Sequence, residues 1–412
     1  MNTLLATLSP YLDLDRKPSL PLLAVGAIGA VMAAFGGFYV LAMLFLEGHA
    51  AFNTSSDMAW GLPIAIYLTL LLTSSGLTVL ASLDLVFGLE AFHPIAKRCI
   101  WLALITLVAG FTVLALEIGH PFRMLWALPF ALQWRSPMWW MGVFYSFDLV
   151  LLIIKFWLIH TRRWHGWFPH LITVVSFVTV ICAAGTLGLV FGMMAMRPAW
   201  FNPTMPLYFM LTGFLSALAM IIFVVSLTGT RSAAELRLFE GHLPRLFMIT
   251  LLGVLAMVAG RTITGLWSNY EGFETFGLRF EAFLAMFQNE VIIGLLIPLA
   301  LLSTNRLRAS RLARLVASTL VLIGMFVARF DLLIIGQQVP LFKGSYFFGV
   351  DAGTGFVEYW PSTTEWMLVP LGLGMVLFLY AAGQWLLRLS ETPLAAAEPV
   401  TQRMQVAQPA AE

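Results

Sequence analysis

Ten continuous apolar stretches, each long enough to cross a lipid bilayer as a helix, constrain this chain more than any other feature. Hydrophobic residues make up 60% of the 412 residues and charged residues only 11%. A hydrocarbon core about 30 Å thick requires roughly 20 apolar residues of helix, and uninterrupted apolar runs favour helices over the alternating strands of a barrel. The sequence therefore predicts an all-α, polytopic membrane protein with no separate soluble domain.

The ten predicted spans lie near residues 21–46, 61–89, 97–118, 138–160, 170–194, 205–228, 243–266, 279–302, 311–336 and 363–388. We expect two parallel four-helix bundles, at residues 61–195 and 205–336, flanked by the first and last helices. Outside the spans we expect a cytoplasmic N-terminus at 1–20, an external loop at 337–362 and a disordered cytoplasmic tail at 389–412.

An internal duplication relates the two predicted bundles. Residues 75–77 (SGL) in the second span match residues 213–215 (GFL) in the sixth, and Asp148 in the fourth span matches Glu290 in the eighth. Because each unit has an even number of spans, the repeats are expected to be parallel, related by an axis along the membrane normal. The general similarity of apolar helices is the alternative explanation.

The distribution of lysine and arginine sets the predicted orientation. Fifteen of the 23 fall on one side and five on the other, which by the positive-inside rule places both termini in the cytoplasm. The expected location is the cytoplasmic (inner) membrane. Lys155 lies near the predicted inner end of its span, where a long side chain can extend to the interface. The net charge of +2 is therefore a topology signal and gives no indication of nucleic-acid binding.

The cysteines and histidines do not form the pattern of a bound redox cofactor. Cys99 and Cys182 belong to no CxxC or CxxCH pattern, so we expect no iron–sulfur cluster and no c-type haem in this chain. The seven histidines lie at span ends or in loops, which argues against haem held by two histidines. His160, His165 and His170 cluster on the predicted inner side, where a metal site is the alternative to a solvated loop.

A first group of polar residues lies around the outer ends of the third and fourth spans. A charge in hydrocarbon costs at least about 2.5–3.5 kcal/mol, so such residues require partners and a purpose. Tyr145 and Asp148 are three residues apart and share one helix face. The group consists of Glu117, His120, Arg123, Trp139, Trp140, Tyr145 and Asp148.

An apolar wall that carries a phenol, an imidazole and carboxylates suits a quinone headgroup. The quinone carbonyls accept hydrogen bonds, and two protons must be exchanged as electrons pass. An interfacial aromatic belt with a histidine and an arginine is the alternative, but a belt does not account for Asp148. The catalytic candidates are Glu117, His120, Tyr145 and Asp148, and the cofactor-binding candidates are His49, Arg123, Trp139 and Trp140.

A second group of charged residues lies in the predicted second bundle and the last span. Two arginines and four acids in neighbouring helices can satisfy one another as a structural salt-bridge network. The functional alternative is a chain of titratable groups for protons, with Glu290 as the best candidate. The group consists of Arg261, Glu281, Glu290, Arg329, Asp331 and Glu365.

Five short motifs occur in the order and spacing of one known family: 91–94 (AFHP), 119–123 (GHPFR), 136–140 (SPMWW), 289–290 (NE) and 359–362 (YWPS). Together they resemble the NrfD-type integral membrane subunits. These include the polysulfide reductase (PsrC-type) anchor, the hydrogenase-2-type membrane subunit (HybB), DsrP and the paired large subunits of alternative complex III. The ten-span members are the most similar, and the similarity covers nearly the whole chain.

The resemblance implies a subunit without redox cofactors of its own that binds quinone or quinol, such as menaquinone, near the outer face. It also implies an extrinsic, ferredoxin-like iron–sulfur subunit on the periplasmic side and a third, catalytic subunit. Proton translocation is unsettled within the family and stays open here. One departure from the family pattern is Trp140, since hydrogenase-type members often carry an acid near the start of this span.

We therefore expect the quinone-binding membrane subunit of a respiratory oxidoreductase complex. A secondary transporter is one alternative, because parallel repeats and buried charges also suit transport. A passive membrane anchor, whose charges only stabilise the fold, is the other.

Overall fold

The computed structural model describes residues 18–119, 126, 130–197, 199–228, 233–267, 287–338 and 357–390. These residues contain ten main helices, which run in chain order as α1 Leu20–Glu47, α2 Leu62–Leu85, α3 His93–Glu117, α4 Pro137–His160, α5 Trp167–Gly192, α6 Met205–Thr228, α7 Leu243–Trp267, α8 Phe287–Ser303, α9 Arg311–Gln338 and α10 Thr363–Leu386. Within this described part, nine helices are long and apolar enough to cross a membrane. The prediction of an all-α, polytopic membrane protein is confirmed.

The helix α8 differs from the other nine. Its first part, Phe287–Leu296, is π-helical, and only Ile297–Ser303 is a regular α-helix. Pro298 has no N–H to offer the preceding turn, and its ring crowds the carbonyl group four residues earlier, which favours a widened turn. The predicted eighth span begins at 279, outside the described residues, so the full ten-span arrangement stays a prediction.

Local sequence signals start and end the helices. Proline occupies the first turn of α1 to α4, where its missing N–H would have had no partner within the helix. Gly48 and Gly119 follow α1 and α3 with φ of 63° and 73°, a conformation that glycine adopts without steric cost. A capping box formed by Ser362 and Glu365 begins α10.

The alternation of the helices defines two ends of the bundle. We call the end with the connections 86–92, 161–166 and 304–310 the basic end, since Arg162, Arg163, Arg306 and Arg308 lie there, and the other the opposite end. Two interactions fix distant segments at the basic end. A buried ion pair joins Arg98 Nη1 to Glu235 Oε1 at 2.7 Å, and Lys97 Nζ donates to the carbonyl oxygen of Leu387 at 2.7 Å.

The first and last helices pack against each other through glycines. A Cβ atom on Gly29 would lie 2.6 Å from the backbone nitrogen of Phe378, and one on Gly36 would lie 2.6 Å from the carbonyl oxygen of Met367. Helix α10 also packs against α3 and α2. Small residues allow this backbone approach, which is the usual basis of helix association in membranes. The pair α1–α10 therefore flanks the first half of the molecule.

A second glycine contact joins the two halves. Helix α2 packs against α6, and a Cβ atom on Gly76 would collide with the carbonyl oxygen of Gly213. In return, a Cβ atom on Gly213 would lie 2.8 Å from the carbonyl oxygen of Leu72. The two glycines lie within the segments that the predicted duplication matches, so corresponding parts of α2 and α6 meet.

The connection between α5 and α6 covers the opposite end of the bundle. Trp200 is buried, its Nε1 donates to the carbonyl oxygen of Leu332 at 2.7 Å, and its ring stacks on Trp60. Arg197 donates to the carbonyl oxygens of Gln337 and Asp57. Burial lowers the pKa of the Arg197 guanidinium, and the Asp57 carboxylate opposes that change. The connection between α5 and α6 is therefore also bonded to α9.

Candidate functional site

Five buried polar residues from three helices form what we call the Asp148 cluster: Ser75 of α2, Tyr145, Asp148 and Lys155 of α4, and Ser176 of α5. Tyr145, Asp148 and Ser176 have no exposed surface, and Lys155 is 1% exposed. Burying an ionised side chain to this degree is costly unless partners compensate. The cluster is therefore the strongest candidate site in the first half of the molecule.

Helical periodicity explains why α4 contributes three members. Tyr145, Asp148 and Lys155 are spaced by three and seven residues, which at 3.6 residues per turn places them along one stripe. Leu152 and Ile159 extend the same buried stripe. The predicted shared face of Tyr145 and Asp148 is confirmed, and it points into the protein.

Tyr145 connects α4 to α2 through a hydroxyl pair. Its phenol oxygen lies 3.0 Å from Ser75 Oγ, and the Ser75 hydroxyl donates to the carbonyl oxygen of Leu71 at 3.1 Å. Because the Ser75 hydrogen can serve either Leu71 or Tyr145, either hydroxyl can be the donor of this pair. The hydroxyl pair links α4 to α2.

Lys155 connects to Asp148 through a serine, which corrects the expectation that its side chain extends to the interface. Lys155 Nζ donates to Ser176 Oγ at 2.6 Å, and the Ser176 hydroxyl donates to Asp148 Oδ1 at 3.1 Å. The lysine side chain points back along α4, as side chains on a helix do, and so reaches toward Asp148 instead of the membrane surface. Asp148 Oδ2 has no hydrogen-bond partner among the described residues.

A cavity adjoins the cluster at Ser75. It has a volume of about 200 Å³ and lies between α2, α5 and α6. Apolar side chains such as Val180, Leu211 and Phe214 form most of its walls, and the side chain of Ser75 supplies a hydroxyl. Asp148 and Tyr145 do not themselves line this cavity, so Tyr145 is connected to it through Ser75.

Glu117 lies elsewhere, in what we call the Glu117 cluster: His49, Glu117, Tyr359 and Glu365. Glu117 is 7% exposed and interacts electrostatically with Glu365. His49 is exposed and lies beside Gly119, where its Cδ2 would be 3.8 Å from a Cβ atom. None of the described contacts joins Glu117 to Tyr145 or Asp148, although the sequence pattern predicts that the three lie together.

The position of Glu365 also differs from the prediction. It lies with Glu117 at the opposite end of the bundle, not with the charged residues of the second half. Its Oε1 accepts from the Tyr359 hydroxyl at 2.7 Å and its Oε2 accepts from the backbone N–H of Ser362 at 2.6 Å. Burial, followed by the hydrogen bond and charge of Glu365, raises the pKa of Tyr359. These contacts assign Glu365 a capping role.

The two tryptophans at the start of α4 do not face Asp148. Trp139 is nine residues before Asp148, which at 3.6 residues per turn is roughly 180° around the helix. Trp140 is 38% exposed, and its Nε1 donates to the carbonyl oxygen of Trp134 at 2.8 Å. Its ring stacks on Phe144. Both positions fit the aromatic belt better than a headgroup site.

The second half contains what we call the Glu290 cluster: Tyr208 of α6, Arg261 of α7, Glu290 of α8 and Asp331 of α9. The Tyr208 hydroxyl donates to Glu290 Oε1 at 3.3 Å, and the Arg261 guanidinium lies 5.7 Å from the centre of the Tyr208 ring. Arg261 also lines a cavity of about 480 Å³ together with Asn202, Thr204 and Thr264.

Arg329 of α9 is buried between the halves. Its Nη2 donates to Ser216 Oγ at 2.9 Å and to the carbonyl oxygen of Thr212 at 3.2 Å. It also interacts electrostatically with Tyr145 and Tyr208, one from each half. No ion pair forms between the two arginines and the three acids of the predicted second group that the structure describes. The predicted salt-bridge network is therefore absent from this part of the chain.

Three predicted site residues, His120, Arg123 and Glu281, lie outside the described residues. Within the described ranges, no group of three or more His, Cys, Asp or Glu side chains is arranged to hold a metal ion. The sequence pattern did not reveal Ser75, Ser176 or the inward direction of Lys155. A signal existed for Lys155, because it is seven residues from Asp148 and a lysine can reach along one helix face.

Comparisons with known proteins agree with the observed architecture. The profile of the family described as "Polysulphide reductase, NrfD" matches residues 50–340, a range that includes the Asp148 and Glu290 clusters. The chain is also 22% identical over 395 residues to a selenate reductase subunit of Mesobacillus selenatarsenatis. That alignment covers 84% of this chain and 90% of the relative.

Proposed function

Since this chain belongs to the NrfD polysulphide reductase family, we propose that it is the quinone-reactive membrane subunit of a reductase complex. The observation that carries the proposal is the Asp148 cluster. It holds a carboxyl, an ammonium and a phenol group within the first half of the bundle, where an apolar environment raises the cost of every uncompensated charge. A passive anchor has no need for a buried carboxylate oxygen that has no hydrogen-bond partner among the described residues.

The chemistry of a quinone matches what the cluster offers. Interconversion of quinone and quinol moves two electrons and two protons, so the site must supply or remove protons as the electrons pass. In the cavity beside Ser75, apolar walls would hold the ring, and the hydroxyl of Ser75, which contacts Tyr145, would hydrogen-bond a quinone oxygen. Asp148, which interacts electrostatically with Tyr145, would exchange the protons.

The electrons require an acceptor or donor outside this chain. We propose a one-electron carrier of the iron–sulfur class in an extrinsic, ferredoxin-like subunit at the opposite end of the bundle, which would be the periplasmic side of the inner membrane. A catalytic subunit of the same complex would then act on the terminal substrate, as the name of the selenate reductase relative suggests. Glu117, with His120 and Arg123, would form the outer part of the quinone path or the contact with this partner.

The direct test is quinol-dependent reduction of the partner's cluster. The complex would be purified from membranes through a tag on this chain, and a short-chain naphthoquinol would serve as the electron donor. We expect Asp148→Asn to lower the rate at least about a hundredfold, the usual contribution of a general acid or base.

Asp84→Asn is the matched control, since Asp84 pairs with His93 at the basic end, away from the cluster. The rate of cluster reduction in this variant should stay within about twofold of the parent rate, as expected for a change outside the reaction path. A complex that assembles with Asp148→Asn and turns over at the parent rate would overturn the proposed role of Asp148.

A further inference from the structure

Lys155 is a buried cation to which the quinone reaction, as proposed above, gives no role. Its ammonium group is 1% exposed and makes one described hydrogen bond, to Ser176 Oγ. Holding a lysine in this position costs free energy that a leucine or methionine would not. A structural ion pair would bring the ammonium group onto the carboxylate, but here a serine hydroxyl stands between Lys155 and Asp148.

The geometry is that of a relay. The distance from Lys155 Nζ to Ser176 Oγ is 2.6 Å, and the distance from Ser176 Oγ to Asp148 Oδ1 is 3.1 Å. In both hydrogen bonds the donor lies on the side away from the carboxylate. All three groups are shielded from solvent. We propose that Lys155 and Ser176 form a proton relay between Asp148 and the basic end of the bundle.

The proton balance of one step is closed. The Lys155 ammonium gives a proton to Ser176 Oγ while the Ser176 hydroxyl gives its own proton to Asp148 Oδ1. The result is a neutral amine, an unchanged serine and a protonated carboxyl group. The amine regains a proton from the basic end, and Asp148 passes its proton to the reduced quinone. For quinol oxidation the same steps run in reverse after rotation of the Ser176 hydroxyl.

The direction of the relay follows from the position of its members along the helices. Helix α4 runs from the opposite end to the basic end, so the backbone of Lys155 lies about 10 Å closer to the basic end than that of Asp148 at 1.5 Å per residue, while its ammonium group points back to Ser176. Beyond it follow His160, the last residue of α4, and the buried Thr173 of α5, one turn before Ser176. Electrons would leave at the opposite end, and turnover would therefore separate charge across the membrane.

Titratable and charged groups face the relay from its own helix and from its neighbours. On α4 itself, Tyr145 is a facing titratable group, and on α5 the facing polar group is the Ser176 hydroxyl. From α2, Ser75 contacts Tyr145, and the Tyr67 hydroxyl lies 3.8 Å from Met141 Sδ. From α9, Arg329 acts on Tyr145. Among the described groups, only Lys155 and Ser176 are bonded in series with Asp148.

This inference rests on the proposed function, and its test uses the whole complex in proteoliposomes with a pH-indicating dye on each side. With naphthoquinol as the donor, we expect protons to appear at the basic-end side for the parent. Lys155→Met should lower turnover at least about tenfold, with the KM for naphthoquinol within about twofold, and should abolish the basic-end protons. Lys155→Arg should not restore the rate, because a guanidinium holds its proton too strongly to release it to Ser176.

Lys97→Met is the matched control, since Lys97 is also a buried ammonium near the basic end but caps α10. This variant should release the same number of protons per turnover as the parent, and on the same side of the membrane. If Lys155→Met retains parent turnover with basic-end protons, the relay is refuted. Should Lys155→Met fail to assemble, Ser176→Ala is expected to reproduce the loss and Ser176→Thr to avoid it.

A readout without quinone separates failure of the relay from failure of the proposed function. Infrared spectroscopy would follow the Asp148 carboxyl band, assigned by its loss in Asp148→Asn, after a pH jump on one side of the liposomes. In the parent, the band should respond to a pH jump at the basic end. In Lys155→Met, the same response should be at least about tenfold slower. If this result holds while naphthoquinol is not oxidised, the relay stands and the quinone assignment fails. Equal response in both chains overturns the relay.

Discussion

Asp148 and Glu290 occupy matching positions of the predicted duplication, but the surroundings of the two carboxyl groups differ. Asp148 lies in a regular helix and is bridged to a fully buried lysine through Ser176. Glu290 lies in a π-helical segment and accepts a hydrogen bond from Tyr208. Arg261 lies near Glu290 without forming an ion pair with it, and it lines a larger cavity. A buried acid can therefore be kept in both halves of one architecture by different partners.

The two halves differ in chemistry more than in packing. The glycines that allow α2 and α6 to meet lie in matched segments, whereas the partners of the two acids are not matched. Helix packing depends on shape and small residues, which tolerate few changes. Proton chemistry depends on single side chains, which can be replaced one at a time.

The largest expected effect concerns the ion pair between Arg98 and Glu235 at the basic end. Arg98→Met leaves the buried carboxylate of Glu235 without this cation and should lower the free energy of unfolding by about 3–5 kcal/mol. Thermal unfolding in detergent would measure it. The exposed Arg163→Met is the control and should change stability by less than about 0.5 kcal/mol.

The second prediction compares the two acids directly. Glu290→Gln should lower naphthoquinol-dependent electron transfer by less than about tenfold, or 1.4 kcal/mol, against at least about a hundredfold for Asp148→Asn. The reason is that the quinone is assigned to the first half only. Equal losses in the two variants would mean that quinone chemistry extends into the second half.

The third prediction tests whether the two halves need the glycines at their contact. Gly76→Ala would place a methyl group against the Gly213 carbonyl oxygen, and overpacking of this kind costs about 1–3 kcal/mol. The folded fraction recovered in detergent measures the loss. Gly241→Ala is the control, because nothing lies within 4 Å of a Cβ atom there. Similar recovery of both variants would argue against a tight α2–α6 contact.

The smallest effect is expected in the Glu117 cluster. Tyr359→Phe removes the hydrogen bond to Glu365 and the one accepted from the backbone N–H of Leu62, and it should cost about 1–2 kcal/mol, with electron transfer preserved. Because the pKa of Tyr359 is raised above the ordinary value of about 10, ionisation of the unfolded chain weakens the fold as the pH rises beyond 10. Tyr359→Phe should lose less stability between pH 9 and 11 than the parent. The control Trp360→Phe, at an exposed position, should lose as much stability as the parent.

Sequence alone determined the all-α membrane fold, most helix boundaries and the shared face of Tyr145 and Asp148. The length of an apolar stretch and its 3.6-residue periodicity are properties of one helix, so they can be read from the sequence. The cost of a charge in hydrocarbon shows that a partner is needed but not which helix supplies it. The tertiary structure decided which helices supply the partners. Ser176 of α5 meets Asp148 of α4, and Glu117 of α3 interacts with Glu365 of α10, because the packing and register of different helices decide which side chains come together.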